Sequence, residues 1–417
     1  MTALPEAYVR RVREQLGSEA EAYFAALEAP YTRGLRLHPD KPLAQCVEGL
    51  LDAVPWEPLG RYLTPESRAG AQIAHEAGAY YLQEPSAMAP ARVLAPGPGD
   101  VALDLCAAPG GKSTQLAAML ADKGLLVCNE PVPSRAQVLS RNLERMGVRN
   151  ALAVSALPDR LAALWPGLFD AVLVDAPCSG EGMFRRHPET RLAWEESAPA
   201  GCAARQREIL ASAFRLLKPG GRLCYSTCTL NREEDEQVAA GLLAAYPALR
   251  AVPFSLPLGG TALNAPEGWL KLYPHQVRGE GHFIALFQKT DDSEESLEKV
   301  RVSSGLMPAD RALAPVSKQA RAAFDAFCGQ IGLDCPYPPT ASLGEALVSV
   351  PFLPPVSGLR VLRAGVRLGE CRGGRFVPDH ALAMALSPAQ ALRTAELTPE
   401  QALAYQAGEA LMLGDDL

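Results

Sequence analysis

Short apolar runs alternate with helical stretches through the middle of this 417-residue chain, from about residue 66 to residue 289. The runs are VALDL (101–105), LLVCN (125–129), ALAVS (151–155) and AVLVD (171–175), each followed by helical spacing. Strands that alternate with helices in this way usually form a parallel sheet covered by helices on both faces. The sequence therefore predicts an α/β, Rossmann-like core, completed by two late strands (WLKLYP and HFIALFQ) that pair as an antiparallel hairpin.

The regions on either side of this core have a different character. The N-terminal stretch LPEAYVRRVREQLGSEAEAYFAAL has helical spacing, and YTRGLRLHP is typical of a short strand. The stretch TDDSEESLEK is acidic and poor in aromatic residues, as linkers are. We therefore predict a small N-terminal α+β lead-in domain (1–65), a core (66–289), an acidic linker (290–304) and a C-terminal domain (305–417).

Composition excludes several classes of protein. The chain is 48% hydrophobic and 21% charged, which is ordinary for a globular protein, and its net charge of −7 argues against a non-specific nucleic-acid coat protein. No apolar run is long enough to span a membrane, and the N-terminus lacks the apolar segment of a secretory signal. The ten cysteines form no CxxC pair and no zinc-ligand spacing. We expect a cytoplasmic protein with reduced thiols, no metal and no membrane partner.

A glycine-containing loop, DLCAAPGGKS, joins the first core strand to its helix. A nucleotide-hydrolysing P-loop needs glycine where Cys106 stands, and the dinucleotide motif GxGxxG is absent. Gly110 and Gly111 let a ligand approach the backbone closely, and Glu130 ends the next strand, where such folds place the acid that binds ribose. Together these features favour S-adenosyl-L-methionine, with Asp104 and Asp175 supplying negative charge near its sulfonium. A tight turn with a surface glutamate is the alternative.

Two cysteines follow apolar strands of the core: Cys178 in DAPCSGEG and Cys228 in YSTCTL. Because parallel strands deliver their carboxyl ends to one edge of a sheet, both thiols should face the same cleft. A thiolate is a strong nucleophile and a good leaving group, so it can add to C6 of a pyrimidine, activate C5 for methylation and then depart. Lys112 or an arginine should favour the thiolate. Burial as small hydrophobic residues, or a disulfide between the two, is the alternative.

These motifs together resemble those of the RNA cytosine-5 methyltransferases of the Nop2/Sun/RsmF type. The resemblance extends from about residue 1 to residue 410, through NEPVPSRAQVLSRNLERMGVRN and PHQVRGEGHFIA, and is closest to the RsmF-like bacterial branch that methylates 16S ribosomal RNA. It implies a class I methyltransferase core with a mainly parallel seven-stranded sheet, RNA binding by the N-terminal lead-in domain (1–65) and a C-terminal PUA-like RNA-binding region. The implied cofactor is S-adenosyl-L-methionine, with S-adenosyl-L-homocysteine as product.

The resemblance also implies roles for particular residues. Cys228 would be the nucleophile, Cys178 would aid product release, Asp175 would contact the cytosine near N3 as well as the cofactor, and Lys112 would orient or activate. The implied cofactor-binding residues are Cys106, Ala107, Ala108, Pro109, Gly110, Gly111, Lys112, Glu130, Arg135 and Asp175. Near the adenine, where relatives place an acid or amide, this chain has Ser155 and Ala156, so we expect a backbone group or Asp159 to take that place.

A base inside a duplex cannot be reached by a nucleophile at C6, so the target must be unpaired or flipped out. Arg185 and Arg186, after the Cys178 motif, are candidates for flanking phosphates, with Met183 and Phe184 as wedges or stacking groups. The stretch GLRVLRAGVRLGECRGGRF has alternating Val, Leu and Arg, which suggests strands with one basic face. Arg360, Arg372 and Arg375 are its RNA-binding candidates. The expected partner is ribosomal RNA, naked or in an assembled 30S subunit, bound by a monomer.

Three alternatives remain open at this level. A transfer-RNA cytosine-5 methyltransferase would use the same chemistry on another substrate. A DNA cytosine-5 methyltransferase would use a nucleophile in a Pro-Cys context, like Pro177–Cys178, and would leave Cys228 idle. A non-catalytic ribosome assembly factor would bind RNA without binding the cofactor.

Overall fold

The computed structural model describes residues 3–41, 47–290, 313–390 and 394–412, so nearly all of the predicted linker lies outside the described residues. The N-terminal elements are α1 (Glu6–Leu16), α2 (Ala20–Glu28), β1 (Arg33–Leu37), β2 (Leu50–Val54), β3 (Glu57–Leu63), α3 (Ile73–Glu76) and β4 (Tyr80–Leu82). The four strands form an antiparallel sheet in the order β2–β3–β1–β4. Because β4 pairs with β1, this sheet extends beyond residue 65, the boundary predicted for the N-terminal domain.

The core follows, and its first half alternates strand and helix as predicted. The helices are α4 (Ala89–Leu94), α5 (Gly111–Leu120), α6 (Pro133–Arg145), α7 (Pro158–Leu164), α8 (Thr190–Ala193), α9 (Ala198–Leu216) and α10 (Glu236–Ala245). The strands are β5 (Val101–Asp104), β6 (Leu125–Asn129), β7 (Ala151–Ser155), β8 (Phe169–Asp175), β9 (Leu217–Thr227), β10 (Leu249–Ala251), β11 (Phe254–Leu258), β12 (Thr261–Ala265), β13 (Trp269–Leu272) and β14 (His282–Lys289).

The C-terminal region supplies the remaining elements. They are α11 (Lys318–Ile331), β15 (Ala341–Leu343), β16 (Ala346–Ser349), β17 (Arg360–Ala364), β18 (Val366–Arg372), β19 (Arg375–Pro378), α12 (His380–Ala385) and α13 (Pro399–Gln406). Strands β15, β16, β18 and β19 form their own antiparallel sheet.

Over the described residues, the central sheet has nine strands, in the order β10–β14–β9–β8–β5–β6–β7–β17, with β13 paired to β14. The strands β7, β6, β5, β8 and β9 run parallel, and β13 and β14 form the predicted antiparallel hairpin. The Rossmann-like α/β core is thus confirmed. The sheet exceeds the seven strands expected by two, because β17 is added from the C-terminal region and the short β10 pairs with β14.

Apolar layers on both faces hold this sheet. On one face Leu116 of α5 and Leu139 of α6 pack against the strands, and on the other Leu161 of α7 and Leu210 of α9 do so, all of them fully buried. Burying a leucine side chain contributes about 1.5–3 kcal/mol, so these layers fix the helices against the sheet. Over the residues that the structure describes, none of the helices is both long and apolar enough for a membrane span.

The stretch 358–376 forms short strands as predicted, but the prediction that they share one basic face was wrong. Its first strand, β17, pairs antiparallel with β7 at the edge of the core sheet, whereas β18 and β19 belong to the C-terminal sheet. An edge strand exposes unpaired backbone groups, and β17 covers those of β7. The arginines of the stretch therefore point into different parts of the molecule.

Candidate active site

The glycine loop lies between β5 and α5, at the carboxyl edge of the parallel strands. Gly110 has φ of 113°, a conformation that other residues rarely adopt, and it caps α5. Three carbonyl oxygens of the loop accept side-chain hydrogen bonds: Ala108 from Arg135 at 3.1 Å, Pro109 from Asn142 at 2.8 Å and Gly111 from Arg36 at 3.0 Å. The loop is therefore held from two sides, by α6 and by the N-terminal sheet.

Arg36 was not predicted from the sequence. It lies on β1, is 1% exposed, and its guanidinium also donates to Thr114 Oγ1 at 2.6 Å and to Gln83 Oε1 at 3.3 Å. Burial lowers the pKa of Arg36 to about 10, so it remains a cation at neutral pH. The sequence around Arg36 carries no signal for this role, because its partners come from other elements.

A cavity of about 760 Å³ opens beside the glycine loop. Its walls come from the loop, from the segments after β6 and β7, from Pro177 and from α9, and they include Cys106, Glu130, Val132, Arg135, Leu157, Asp159, Arg205 and Glu208. The exposed apolar side chains of Val132 and Leu157, 44% and 64% accessible, offer surface to a flat heterocycle. Size and lining are suited to S-adenosyl-L-methionine.

The predicted cofactor residues divide into two groups. Cys106, Glu130 and Arg135 line the cavity, and so does Asp159, the acid expected near the adenine. The Glu130 carboxylate accepts from the Val132 amide at 3.0 Å and lies 3.3 Å from the Arg135 guanidinium. The other predicted residues, Ala107 to Lys112 and Asp175, shape the loop and the adjoining cysteine region. The sequence did not predict the cavity residues Pro131, Val132, Leu157 and those of α9. Apolar residues just after the ends of β6 and β7 are the sequence signal that could have indicated Val132 and Leu157.

Asp104 stands at the end of β5, beneath the loop. It is 1% exposed, and its Oδ2 accepts from Ser113 Oγ at 2.7 Å. Burial raises the pKa of Asp104 to about 7. The expectation that Asp104 supplies a full negative charge is therefore wrong below neutral pH, and Asp175 is the principal anion of this region.

The two cysteines meet as predicted. Cys178 follows β8 and Cys228 follows β9, and their Sγ atoms are 3.3 Å apart as free, half-buried thiols. The hydrogen bond with Cys228, burial and the nearby Glu234 raise the pKa of the Cys178 thiol well above its ordinary value. Cys228, in contrast, interacts electrostatically with the Lys112 ammonium. Of the two, Cys228 is therefore the thiol that interacts with a cation.

Asp175 lies beside the thiols and connects them to the glycine loop. Its Oδ2 accepts from Lys112 Nζ at 2.7 Å, and its Oδ1 accepts from Ser226 Oγ at 2.8 Å. Although burial alone would raise it, Lys112 and His282 hold the pKa of Asp175 well below its usual range. The carboxylate is therefore ionised at neutral pH and can only accept hydrogen bonds.

His282 is a second residue that the sequence interpretation missed. It begins β14, is 2% exposed, and its Nε2 lies 3.4 Å from Asp175 Oδ1. The sequence signal that could have indicated His282 is its position at the start of β14, the last strand of the core, which pairs with β9 next to Cys228.

The loops that carry the cysteines, residues 176–182 and 228–235, are called the cysteine loops below. Glu234, which is fully buried, joins them. Its carboxylate accepts from the Ser179 amide at 3.0 Å, from Asn231 Nδ2 at 2.7 Å and from Gln206 Nε2 at 2.8 Å. The backbone adds a bond from the Gly182 amide to the Cys228 carbonyl at 2.8 Å. The two thiols are thus positioned by buried polar contacts.

The acidic run NREEDE (231–236) has the composition of a helix start, but most of it is not helical. The helix α10 begins only at Glu236, while Glu234 and Asp235 are fully buried in the preceding loop. Asp235 accepts from Thr227 Oγ1 at 2.7 Å and lies 3.2 Å from Lys271 Nζ. These side chains hold the cysteine loops instead of stabilising a helix end.

The N-terminal helices pack directly on the cysteine loops. Tyr8 and Tyr23 of α1 and α2 form one apolar cluster with Phe184 and Leu230. Arg11 of α1 donates to Glu181 Oε1 at 2.5 Å. Phe184 is 1% exposed in this cluster, so its predicted role as a wedge or stacking group for RNA is wrong.

Arg185 was also predicted to follow RNA phosphates, and the structure contradicts this. Its side chain is 6% exposed and donates to both carboxylate oxygens of Glu280, at 2.7 and 2.5 Å, and to the Gly279 carbonyl at 2.7 Å. A guanidinium with this many buried partners has a structural role. Arg186, the next residue, is exposed.

Of the predicted RNA-binding arginines of the C-terminal region, Arg372 is neutralised by an acid, whereas Arg360 and Arg375 are exposed. Arg372 pairs with Glu370 at 2.8 Å, and Arg360, on β17, is exposed beside Ser155 at the edge of the core sheet. Arg375 is exposed on β19. Of the remaining two, Arg363 is buried against Glu144, and Arg367 contacts Glu370 and Asp379. The basic surface expected from the sequence is therefore weaker than its arginine count indicates.

Fold and site together define a class of protein. A Rossmann-like core, a glycine loop and a cavity at the carboxyl edge of the sheet are the features of the S-adenosylmethionine-dependent methyltransferases. The profile of the 16S rRNA methyltransferase RsmB/F family matches residues 91–288. The profile of the RsmF N-terminal domain matches residues 4–85, and the profile of the first RsmF C-terminal domain matches residues 326–386.

Curated relatives give the same result. The ribosomal RNA small subunit methyltransferase F of Cronobacter sakazakii is 34% identical, over 97% of this chain and 88% of that protein. The enzyme of the same name from Aliivibrio fischeri MJ11 is 35% identical, over 97% and 89%. The chain therefore belongs to the RsmF family and is an S-adenosylmethionine-dependent methyltransferase.

Two solved structures resemble the core. A methyltransferase homologue from Pyrococcus horikoshii is 30% identical with a TM-score of 0.59, covering 69% of this chain and 96% of that one. The NSun6 of Pyrococcus horikoshii, solved with SFG, has a TM-score of 0.60 at 22% identity, covering 70% and 100%, and supports the fold. In the part of the chain that the structure describes, no group of three or more His, Cys, Asp or Glu side chains is placed to hold a metal.

Proposed function

We propose that this protein forms 5-methylcytosine in small-subunit (16S) ribosomal RNA through a covalent bond between Cys228 and C6 of the target base. The observation that carries the proposal is the pair of free thiols, 3.3 Å apart, next to the Lys112–Asp175 ion pair and beside the cofactor cavity. The names of the relatives support ribosomal RNA as the substrate over transfer RNA or DNA.

Each residue has a definite part in the proposed reaction. The Cys228 thiolate adds to C6, which makes C5 electron-rich, and the cofactor supplies a sulfonium methyl group for C5. A base then removes the C5 proton, the C5=C6 bond returns and the C6–S bond breaks, so that Cys228 leaves as a thiolate. Lys112 favours the charged sulfur, and Cys178, kept as a thiol by its raised pKa, is close enough to assist this release.

Asp175 is proposed to select the base. Its side chain is 31% exposed, and its carboxylate, ionised at neutral pH, offers only acceptors. The edge of cytosine near N3 carries an amino group that donates, whereas uracil presents a carbonyl there. Asp175 therefore favours cytosine over uracil.

The residues around the cavity fit the cofactor. Glu130 and Asp159 provide carboxylates for ribose hydroxyls and the adenine amino group, while Val132 and Leu157 provide apolar surface. Asp175 provides negative charge toward the sulfonium side. The same cavity argues against a purely non-catalytic assembly factor.

Single cysteine variants test the proposal. With 16S RNA from a strain lacking the protein, naked or in 30S subunits, Cys228→Ala should lower methyl transfer by about a thousandfold or more. Cys178→Ala should instead accumulate a covalent protein–RNA complex on a denaturing gel, because the adduct forms but is released slowly. Cys224→Ala, at a fully buried cysteine on β9, is the control.

The opposite pattern would contradict the assignment. If Cys178→Ala abolished turnover while Cys228→Ala trapped the adduct, the nucleophile would be Cys178, as in the DNA-type alternative. Mapping of 5-methylcytosine in the strain's ribosomal and transfer RNA would distinguish the two RNA substrates.

A further inference from the structure

We infer that Tyr31, Arg33, Arg186 and Arg278 form a surface that binds the unpaired RNA next to the target cytosine. These four residues are called the tyrosine–arginine rim below. The inference rests on the proposed function, because it concerns the RNA that the proposed reaction uses. None of the four except Arg186 was indicated by the sequence.

A buried ion pair brings the rim together. The Arg185 guanidinium donates to Glu280, to the Thr32 hydroxyl at 3.1 Å and to the Ala26 carbonyl at 3.2 Å. Glu280 Oε1 in turn accepts from the Thr32 amide at 2.6 Å. The segments around residues 31–33, 185–186 and 278–280 are thereby joined into one surface.

The neighbours of these buried residues are the ones that face outward. Thr32 contacts the buried pair, and alternate residues of an extended chain face opposite sides, so Tyr31 and Arg33 point away from it. Tyr31 is 42% exposed, and the Arg186 guanidinium lies 6.0 Å from the centre of its ring. Arg278 is exposed and lies 4.1 Å from the centre of the Tyr62 ring. The exposed Tyr31 ring with Arg186 beside it is suited to a stacked base and its phosphate, and Arg278 adds an exposed cation nearby.

The rim also carries charge that is not neutralised. Among the described residues, Arg33, Arg186 and Arg278 form no ion pair, in contrast to Arg363, Arg367 and Arg372 in the C-terminal region. Arg33 donates to the Pro65 carbonyl at 2.6 Å, which does not neutralise its charge. Arginine charges without an acidic partner are available for phosphates.

The position of the rim fits a strand that enters the active site. Arg186 follows the Cys178 loop in the sequence, and Arg278 precedes His282, which contacts Asp175 at 3.4 Å. A Cβ placed on Gly182 would lie 3.3 Å from the Gly281 carbonyl and 2.5 Å from that of Cys228, so these segments touch. Nucleotides that flank the target base would therefore reach the rim.

The test is RNA binding without turnover. A short, labelled, unpaired oligoribonucleotide with one cytosine is titrated at several salt concentrations in the presence of S-adenosyl-L-homocysteine. For Arg186→Ala/Arg278→Ala, the slope of log affinity against log salt should fall by about 1.4, for two lost phosphate contacts on a single strand. Tyr31→Ala should weaken binding about tenfold, and Tyr31→Phe should preserve it, because stacking needs only the ring.

A matched control removes two arginines elsewhere. Arg222 on β9 and Arg250 on β10 lie on either side of Gln288 on β14, and this place is separated along β9 from Cys228, which follows the end of that strand. Arg222→Ala/Arg250→Ala should therefore leave the salt slope almost unchanged. Arg186→Gln/Arg278→Gln repeats the rim test with longer side chains if the alanine variant is unstable. Equal slopes for rim variant and wild type, equal losses in rim and control variants, or tighter binding of duplex than of unpaired RNA would overturn the inference. Since no methyl transfer is measured, failure of the proposed chemistry is detected separately by the cysteine variants.

Discussion

The cofactor cavity and the cysteine loops lie side by side at the same edge of the sheet but are constructed differently. The cavity walls contain exposed residues such as Val132 and Leu157, supplied by segments that follow consecutive strands. The cysteine loops depend on fully buried polar side chains, above all Glu234 and Asp235, and on helices from the N-terminal domain. The difference indicates that changes in the cavity should alter cofactor affinity, whereas changes around the loops should alter stability and turnover.

The largest expected effect is that of Glu234→Ala. If this substitution changed only cofactor affinity, the distinction between the cavity and the cysteine loops would be wrong. The substitution leaves the Ser179 amide, Asn231 and Gln206 without their buried acceptor. We expect the free energy of unfolding to fall by about 3–5 kcal/mol, with loss of activity. Denaturant unfolding measures the effect, and Glu233→Ala, at the preceding and less buried acid, is the control. A Glu234 variant as stable as the control would contradict the role given to this carboxylate.

Glu130→Gln tests the same distinction at a residue that lines the cavity. The change keeps the shape of the side chain but removes the charge that faces the cavity and Arg135. We expect the dissociation constant for S-adenosyl-L-methionine to rise about tenfold, because a hydrogen bond to a charged group is weakened, while kcat at saturating cofactor changes little. Calorimetry and steady-state kinetics give the two values. A fall in kcat with unchanged cofactor affinity would place Glu130 with the cysteine loops instead.

His282→Phe tests the region around Asp175 and the cysteine loops, and its expected effect on turnover is smaller. Since His282 helps to hold the pKa of Asp175 low, its removal should raise that pKa toward the ordinary value. If ionised Asp175 is needed, kcat near neutral pH should change little, because the raised pKa still lies well below neutrality, but the acidic limb of the kcat–pH profile should move to higher pH. His282→Gln, which can still donate, should reverse part of this shift. An unshifted profile with a lower melting temperature would leave His282 a packing role only.

Asp104→Asn should act on stability alone and leave cofactor affinity and turnover almost unchanged. In the folded protein the pKa of Asp104 is about 7, above the ordinary value of about 3.9, so between these pH values the folded state holds a proton that the unfolded state lacks. Asp104 therefore makes the wild type lose stability as pH rises through this range, whereas the variant should not. Melting temperatures of both proteins across the range measure the difference. Parallel pH curves would contradict the raised pKa.

Much of the fold and part of the site were predictable from local patterns. The apolar runs of β5 to β8 are continuous because these strands are buried on both faces, and that pattern is visible in the sequence. The meeting of Cys178 and Cys228 followed from their positions after two strands, since parallel strands end at one edge. Glu130 and Cys106 were found at the cavity in the same way.

Other features had no local signature. Arg185 and Arg186 are adjacent and chemically identical, yet one is buried against Glu280 and the other is exposed. Glu234 has the composition of a helix start but is an internal acceptor for residues of distant segments. Arg36 and His282 contact the site only because β1 and β14 are brought to it by the fold.

By itself, the sequence determined the α/β core, the glycine loop and the two thiols at neighbouring strand ends, because burial and strand polarity leave a periodic record along the chain. Only the tertiary structure decided which charged side chains are free to meet RNA and which are neutralised inside the protein. The reason is physical: the state of an arginine or a carboxylate depends on its partners and on its access to water, and both are fixed by segments far away in the chain.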